Sequence, residues 1–319
     1  MRAVLIVNPN ATSTTPAGRD LLAHALESRV DLSVMHTDHR GHAVEIAEAA
    51  RRDGIDVIIV HGGDGTVNEV VNGLLGPPGP HRPAAGTLPA VAVVPGGSAN
   101  VFARALGISP DPIEATNQLV DLLDSHRRGG AWRCIGLMDC GERWAVFTAG
   151  MGVDGDVVAA VEAQRAKGRK VTAARYIRIA TREMLINARA EPLLTLHLPD
   201  REPVEGVHFA FVSNASPWTY ANSRPIFTNP GTTFEGGLGV FAVTSMNVVA
   251  NLLVVRRMWS KKAEIKGKNL IREDNLPWVR ITATEPIACQ ADGDSLGPRT
   301  DMTFRSVPDA LLVVAPTAA

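Results

Sequence analysis

A glycine-rich segment, Gly62-Gly63-Asp64-Gly65-Thr66, has the residue types of a phosphate-binding turn. It follows the apolar run Asp56 to Val60 and precedes residues 67–75, whose apolar positions fall on one helical face. Glycines let phosphate approach the backbone closely, and a helix N-terminus offers free N–H groups and a favourable dipole. A carboxylate at such a turn repels phosphate unless a cation or a transferring proton lies between them, so we expect Asp64 to act together with Mg²⁺. The alternative is a tight turn in which Asp64 caps the helix.

A second segment, Pro95 to Gly107, repeats the order of strand, glycine turn and helix. Ser98 is expected to cap this helix and Gly107 to end it. Neighbouring strands of a parallel sheet would bring both glycine turns to one edge, where open α/β sheets bind their ligands. The polar turn that begins at Asn8, and Thr37 at the end of the second strand, should line the same crevice.

The elements that position these turns alternate along the first 127 residues. Apolar runs separated by helix-length segments predict a parallel sheet covered on both faces by helices. We predict strands at 3–7, 31–36, 56–60 and 91–94, and helices at 17–28, 42–52 and 113–125. A further helix is predicted after the glycine turn, with its apolar face formed by residues 67, 70, 71, 74 and 75. The sequence after Arg127, with Gly129 and Gly130, indicates a domain boundary, so we predict domains at 1–127 and 128–319.

Residues 128–319 are rich in strands and predict an antiparallel sandwich or barrel. The predicted strands are 133–138, 144–148, 193–198, 207–212, 238–244, 278–284 and 311–314, interrupted by helices at 175–187 and 248–259.

The charge of the chain divides between these halves. The formal net charge is −1, which argues against a general nucleic-acid binder, but residues 1–127 carry −5 and residues 128–319 carry +4. The first lysine is Lys167, so the N-terminal half contains no P-loop, which requires a lysine after its glycines. If this half binds a nucleotide, it must do so in another way.

The remaining composition points to a cytoplasmic protein. Three cysteines at 134, 140 and 289 form neither a disulfide framework nor a CxxC metal pair. No run approaches the ~20 apolar residues of a membrane span, and the first residues are too short an apolar run for a signal peptide. Any contact with a membrane is therefore expected to be peripheral.

Three motifs together resemble the diacylglycerol kinase catalytic-domain family, which includes bacterial soluble lipid kinases and sphingosine kinases. They are Val7-Asn8-Pro9, the segment 62–74 (GGDGTVNEVVNGL) and the segment 95–107 (PGGSANVFARALG). The GGDGT motif is shared with NAD kinases and loosely with phosphofructokinases, whereas the other two favour lipid kinases. The resemblance implies an α/β domain of the phosphofructokinase and NAD kinase type, followed by a β-sandwich domain, with ATP bound in the cleft between them.

The resemblance also assigns roles to individual residues. It makes the turn at 62–68 the nucleotide-binding loop, and it implies nucleotide contacts from Asn8, Thr37, Gly62, Gly63, Asp64, Gly65, Thr66, Val67, Asn68 and Ser98. Asp292-Gly293-Asp294 resembles the family's Asp-Gly-Glu segment, which makes Asp294 the candidate proton acceptor. In sphingosine kinases that role is usually given to the GGDG aspartate, here Asp64. For Asp292 and Asp294, the residues alone indicate an exposed turn.

The segment 229–240 resembles the family's structural Mg²⁺ site, which would use Thr232, Glu235 and Gly237. The chain departs from the family at three places. Glu235 replaces the usual Asp, residues 10–15 lack the usual glycine and lysine, and Val101 replaces an acid. These changes bear on the phosphate and metal details.

Two basic stretches give the second half its positive charge. They contain Arg165, Lys167, Arg169, Lys170, Arg175, Arg178 and Arg182, and then Arg256, Arg257, Lys261, Lys262, Lys266, Lys268 and Arg272. Such stretches can lie on an anionic bilayer, each cation near the surface contributing about 1 kcal/mol, or they can be solvated helix faces.

We therefore predict a cytoplasmic, peripherally membrane-associated lipid kinase that uses ATP and Mg²⁺, with diacylglycerol as the expected acceptor and phosphatidic acid as the product. The alternatives are a NAD kinase and a catalytically silent protein that binds a nucleotide or a lipid. No nucleic-acid partner is expected, and a homodimer is compatible with the sequence.

Overall fold

The computed structural model describes residues 1–12, 15–166, 191–221, 223–247, 254, 256–259 and 266–317. The helix predicted at 175–187 and most of the one predicted at 248–259 lie outside these residues. The chain divides into two compact units. Unit 1 contains residues 1–137, 142–146 and 308–319, and unit 2 contains residues 138–141 and 147–307.

Unit 1 is an α/β domain built on a parallel sheet, as the alternating pattern predicts. Its strands and helices are β1 Arg2–Val7, α1 Pro16–Glu27, β2 Asp31–His36, α2 His42–Arg52, β3 Val57–Gly62, α3 Asp64–Leu75, β4 Ala90–Pro95, α4 Val101–Ala105 and α5 Pro112–Arg127, followed by β5 Arg133–Asp139 and β6 Trp144–Ala145. The parallel strand order is β2-β1-β3-β4. Residues of β3 and β4 are buried throughout, because helices cover both faces of the sheet.

Helix starts in unit 1 follow ordinary capping chemistry. Thr15 caps α1 by accepting a hydrogen bond from Gly18 N–H, with Pro16 in the first helical position. The Asp111 carboxylate accepts the N–H groups of Ile113 and Glu114 at the start of α5. These caps set where each helix leaves the carboxyl edge of the sheet.

Unit 2 is β-rich. Its elements are β7 Thr148–Met151, α6 Val153–Ala166, β8 Leu194–His197, β9 Val204–Val207, β10 Phe209–Ser213, β11 Thr219–Ala221, β12 Arg224–Ile226, β13 Leu238–Val243, β14 Leu270–Leu276, β15 Trp278–Ala291 and β16 Asp294–Val313, the last six residues of which belong to unit 1. Antiparallel pairing runs in the order β14-β13-β10-β7-β15-β16. Valines of α6 at 153, 157 and 161 pack on Phe209 and Phe241 to form part of its core.

Several boundaries differ from the sequence predictions. The predicted strand at 144–148 is two short strands, β6 and β7. Strand β14 and helix α6 were not predicted, because β14 is polar and only partly buried and α6 has little amphipathic contrast. Within the described residues, no helix has the length and hydropathy of a membrane span. All three cysteines are free thiols.

Candidate functional site

The two glycine turns of unit 1 lie side by side. Strands β3 and β4 pair through to Gly62 and Pro95, and Gly96 N–H donates to the Gly62 carbonyl oxygen at 2.9 Å. A Cβ added to Gly97 would lie only 2.7 Å from the Gly63 Cα. Because backbone meets backbone here, a larger residue at Gly97 would require one of the two turns to move. The parallel order therefore brings together the two turns that the sequence singled out.

The Asp64 carboxylate joins the two turns. It belongs to the first residue of α3, and its Oδ1 accepts the Phe102 N–H at 3.0 Å. Phe102 lies in the first turn of α4, so Asp64 caps a helix that is distant in sequence rather than its own. The cap predicted from the sequence, Asp64 at the start of α3, is therefore wrong in its target.

The cap predicted at Ser98 is also wrong. Helix α4 begins after Asn100, which has a left-handed backbone with φ of 48°. The Asn100 side chain closes the turn by accepting Gly97 N–H at 2.9 Å and donating to the Gly97 carbonyl at 2.8 Å. Ser98 itself is exposed at the tip of the turn. Its exposure leaves the hydroxyl accessible to a ligand.

Burial raises the pKa of Asp64, although the N–H groups of Phe102, Val101 and Asn100 oppose the shift. The residue as a whole keeps intermediate exposure. A carboxylate held against a helix N-terminus is electrostatically favoured there. For Asp64, burial outweighs the N–H groups, so the protonated form of the carboxyl is favoured more than in a free aspartate.

Asn8 and Thr66 connect the end of β1 to this region. Asn8 Nδ2 donates to Thr66 Oγ1 at 3.1 Å, and the Asn8 N–H donates to the His61 carbonyl at 3.0 Å. A Cβ on Gly62 would come within 2.8 Å of Thr66 Oγ1. Thr37 is buried just after β2, with its N–H donating to the Val7 carbonyl at 2.9 Å. The polar residues at the ends of three strands therefore share the carboxyl edge of the sheet with both glycine turns.

Val67 and Asn68, which the sequence also assigned to the nucleotide loop, have buried side chains. Asn68 Nδ2 donates to the Trp144 carbonyl at 3.0 Å, and its Oδ1 accepts from Arg143 and from Asn72. These contacts fasten strand β6 to α3. The nucleotide role of Asn68 stays a prediction, and its side-chain amide has this packing function in addition. Gly65, by contrast, is exposed in the first turn of α3.

His61 was not predicted as a site residue. It is buried at the end of β3, and its Nδ1 lies 3.2 Å from the Val94 carbonyl oxygen. Burial lowers the pKa of His61, and the positive charge of Arg19 lowers it further. The signal in the sequence was a histidine at the end of an apolar strand, directly before the glycines.

In unit 2, Asp292 and Gly293 form the two-residue turn of the hairpin between β15 and β16. Their φ angles are 50° and 82°, and Ala291 pairs with Asp294 across the turn. Both central residues are left-handed, as in a type I′ turn, which favours Asp-Gly. The sequence predicted a turn here, and the left-handed backbone at both positions explains why the residues are Asp and Gly.

The two aspartates of this hairpin have different surroundings. Asp292 is buried, and its Oδ1 accepts the N–H groups of Phe147 and Thr148 at 3.0 Å each. The expectation of an exposed turn is therefore wrong for Asp292, because its carboxylate fastens the hairpin to the start of β7. Asp294 is the more accessible of the two, with intermediate exposure at the first position of β16.

In the segment proposed to hold a metal, the acid that contacts Thr232 is Asp274 and not Glu235. Thr232 is buried and its hydroxyl donates to Asp274 Oδ1 at 2.7 Å, whereas Glu235 is exposed. Gly237 has φ of 111°, a conformation that favours glycine. One carboxylate with backbone carbonyls is an oxygen donor set of the kind that Mg²⁺ takes, so these residues fit the class of ion. Across the described residues, no group of three or more His, Cys, Asp or Glu side chains is arranged to hold a metal.

Comparison with known proteins identifies unit 1. Residues 2–127 match the family described as the diacylglycerol kinase catalytic domain. The matched residues make up less than half of the chain. The match covers the glycine turns, Asp64 and the strand ends around them.

Curated relatives of this domain are lipid kinases by name. A YegS-like lipid kinase of Chromohalobacter salexigens is 39% identical over 111 residues, which are 35% of this chain and 33% of that protein. YegS of Escherichia coli is 35% identical over 117 residues, 37% of this chain and 36% of that protein. A diacylglycerol kinase of Staphylococcus haemolyticus is 36% identical over 102 residues, 32% of this chain and 28% of that protein. The matches thus span about a third of each relative.

The fold of the whole chain is shared with a solved structure. A diacylglycerol kinase of Bacillus anthracis superposes with a TM-score of 0.69 and 19% identity, covering 99% of this chain and 97% of that one. The β-rich part therefore has the same fold as its counterpart there, although its sequence has diverged.

Proposed function

We propose that the protein is a lipid kinase that transfers the γ-phosphate of ATP to a lipid hydroxyl, with diacylglycerol as acceptor and phosphatidic acid as product. The observation that carries the proposal is the pair of abutting glycine turns in a diacylglycerol kinase catalytic domain, joined by the Asp64 carboxylate. Backbone amides at such turns suit the phosphates of a nucleotide.

In this proposal the acceptor oxygen attacks the γ-phosphorus. A new O–P bond forms, the bond to the leaving oxygen of ADP breaks, and the hydroxyl proton passes to a carboxylate. Positioning and charge neutralisation dominate such a transfer. Mg²⁺ bound with ATP would neutralise part of the phosphate charge, and Thr232, Glu235 and Gly237 are the proposed ligands of a structural Mg²⁺ in unit 2.

Asp294 is the better candidate for the proton acceptor. The Asp64 carboxylate already accepts the Phe102 N–H and connects two turns, whereas Asp294 stands where the resemblance to the family puts the proton acceptor. We therefore assign Asp294 to the proton and Asp64 to the alignment of the phosphate turns. Asn8, Thr37, Thr66 and Ser98 complete the proposed nucleotide contacts, together with the backbone of 62–68.

We further propose that unit 2 approaches an anionic bilayer through a cationic surface, defined as Arg256, Arg257, Lys266 and Lys268. All four residues are exposed, and the Trp259 side chain beside them is 45% exposed. Val254 and Met258 of the same segment pack into the core, and Arg257 Nη1 donates to the Lys266 carbonyl at 2.7 Å. Cations around an exposed tryptophan suit a bilayer interface. The earlier basic stretch lies almost entirely outside the described residues.

The experiment uses the purified protein with labelled ATP, Mg²⁺ and mixed vesicles that contain diacylglycerol, monoacylglycerol, sphingosine or ceramide. We expect a phosphorylated lipid, with D294N reducing the rate by about 100-fold or more, the range of acid–base contributions. D64N should reduce the rate less, because its amide keeps an acceptor oxygen for the Phe102 N–H. Absence of product from every lipid would overturn the proposal. Phosphorylation of NAD without phosphorylation of lipid would show that the protein is a NAD kinase. Binding of ATP or lipid without turnover would show that it is a catalytically silent sensor.

Membrane approach is tested by sedimentation with vesicles. We expect binding to phosphatidylglycerol vesicles to weaken in R256Q/R257Q and with added salt, and to be weaker on phosphatidylcholine alone. The control is R52Q, because Arg52 carries the same charge on unit 1. Equal binding of R256Q/R257Q and the wild type would remove this surface from the proposal.

A further inference from the structure

The phosphate groups of a nucleotide require positive charge, and unit 1 has no lysine to supply it. The first lysine of the chain, Lys167, lies in the range of unit 2. Three arginines follow strands at the carboxyl edge of the sheet: Arg19 after β1, Arg40 after β2 and Arg104 after β4. Of the three, Arg19 is the one with a buried side-chain nitrogen that has no hydrogen-bond partner among the described residues.

Arg19 lies in the first turn of α1. Its N–H donates to the carbonyl of the capping residue Thr15 at 3.0 Å. It is three residues before Leu22 and seven before Leu26, the buried residues of α1, so all three share the inner face of the helix. Because α1 follows β1, its first turn lies near the carboxyl edge, where both glycine turns are found.

The guanidinium of Arg19 has an unmet hydrogen-bonding group. Its Nε is buried and has no hydrogen-bond partner within the described part of the chain. A buried donor on a permanently charged group is unfavourable unless an acceptor or a counter-charge meets it. An oxyanion would satisfy both requirements, and arginine binds phosphate oxygens in a bidentate manner.

The charge of Arg19 acts on His61, the last residue before the glycines of the first turn. The imidazole precedes Gly62 directly, and the charge of Arg19 acts on it to lower its pKa, in addition to the larger effect of burial. Since a carbonyl oxygen only accepts, the Val94 contact requires the proton on Nδ1 of His61. A neutral imidazole leaves Arg19 as the positive charge at this strand end.

We propose that Arg19 binds the phosphate groups of the nucleotide and supplies the charge that a lysine provides in a P-loop. This assignment rests on the proposed nucleotide-dependent function and extends it to a residue outside the three sequence motifs. The ligand class is a nucleoside triphosphate, recognised through its phosphate oxygens.

The test compares R19Q and R19K with the wild type in MgATP binding by calorimetry and in the KM for ATP. We expect R19Q to weaken MgATP binding at least tenfold, to raise the KM for ATP to a similar extent and to leave the KM for lipid unchanged. R19K should lose less affinity for MgATP than R19Q because it keeps the positive charge. It should still bind more weakly than the wild type because lysine lacks the planar guanidinium. The control R52Q removes an arginine whose Nε donates to the Glu48 carbonyl at the far end of α2, and we expect no change.

Stability separates a binding role from a structural one. Because Arg19 lacks a partner for its Nε, R19Q should have a melting temperature without nucleotide equal to that of the wild type or higher, and a smaller rise when MgATP is added. Wild-type MgATP affinity in R19Q would overturn the inference. So would a loss of folding in R19Q together with full affinity in R19K and in R19M, since charge and shape would then be dispensable.

The two proposals fail in different ways. If the wild-type protein phosphorylates no lipid, tripolyphosphate binding by the wild type and R19Q still tests the arginine. Tenfold weaker tripolyphosphate binding in R19Q would support the phosphate role even then. If the wild type phosphorylates lipid, and wild type and R19Q bind tripolyphosphate and ATP equally well, the role of Arg19 is rejected and the lipid kinase proposal stands.

Discussion

Asp64 and Asp292 occur in two unrelated turns, and each of them holds its turn against another segment of the chain. Each carboxylate accepts a backbone N–H from another segment: Asp64 from Phe102, and Asp292 from Phe147 and Thr148. In unit 1 the aspartate that fixes the turn is also the one nearest to the proposed phosphates. In unit 2 the roles are divided, because Asp292 fixes the hairpin and Asp294 remains accessible. The comparison shows that an acid in a catalytic motif can be needed first to hold the backbone.

The glycines of the two turns are required for different reasons. Gly97 lets its backbone lie against that of Gly63, whereas Gly293 has open space around the position of a Cβ and is required by its φ of 82°. Steric contact penalises every larger residue, but a left-handed φ penalises Asn less than others. The substitutions below separate these two demands.

The largest effect is expected at Gly97. In G97A the new Cβ meets the Gly63 Cα at 2.7 Å, so we expect a loss of roughly 1–3 kcal/mol in the free energy of unfolding, together with weaker MgATP binding. Urea unfolding and calorimetry measure the two quantities. The matched control is G65A in the neighbouring turn, where nothing lies within 4 Å of the Cβ, and stability should be kept. Equal stabilities of G97A and G65A would contradict the close approach of the turns.

The next effect is expected at Asp292. D292A leaves two buried N–H groups without their acceptor, and we expect it to lower the free energy of unfolding by about 1–3 kcal/mol. D292N keeps an acceptor oxygen and a residue that tolerates the φ of 50°, so it should lose much less. D294A, two residues away, should change stability little while abolishing activity. If D292A were as stable as D294A, the hydrogen bonds that Asp292 accepts from Phe147 and Thr148 would not contribute to the free energy of unfolding.

Much of this arrangement is predictable from local sequence. Short apolar runs and helical periods predicted the parallel sheet, and parallel order predicted that the turns at Gly63 and Gly97 meet. The residues at 292–294 indicated a turn, and the structure has a two-residue hairpin turn there. These features depend on residues close in sequence or on the rules of strand connection.

The features that local sequence did not predict depend on contacts between distant residues. The cap of α4 comes from Asp64, 38 residues before Phe102, so a search for a capping residue near the helix found Ser98 instead. Asp292 is buried because Phe147 and Thr148 lie across from it, 145 and 144 residues earlier. Asn68 resembled a loop residue, yet its amide contacts Trp144. No period or propensity encodes such pairs.

A smaller effect distinguishes the cap from the charge at Asp64. D64A removes the acceptor for Phe102 N–H, and we expect it to lower the free energy of unfolding by about 0.5–2 kcal/mol, the usual cost of losing a cap. D64N keeps an acceptor oxygen and should retain stability near the wild-type value. Thermal melts of the two variants give the comparison, and equal destabilisation would mean that the charge, rather than the acceptor, holds α4.

The pH dependence of these melts follows from the raised pKa of Asp64. Because the folded protein holds this proton more tightly than the unfolded chain, its contribution to stability falls as pH rises above the ordinary Asp pKa of 3.8. D64N lacks this ionisation, so its melting temperature relative to the wild type should increase between pH 4 and pH 7. If the difference in melting temperature between D64N and the wild type did not change with pH, the desolvation of the Asp64 carboxylate would be contradicted.

The smallest effect is expected at Gly293, and it completes the comparison of the two turns. G293N places a residue that tolerates left-handed backbone where nothing lies within 4 Å of the Cβ, so we expect a loss below about 1 kcal/mol in urea unfolding. G293V, with a β-branched side chain that does not tolerate this φ, should lose more. If G293N destabilised the protein as strongly as G97A, steric contact rather than backbone conformation would require glycine in both turns, and the distinction between them would be lost.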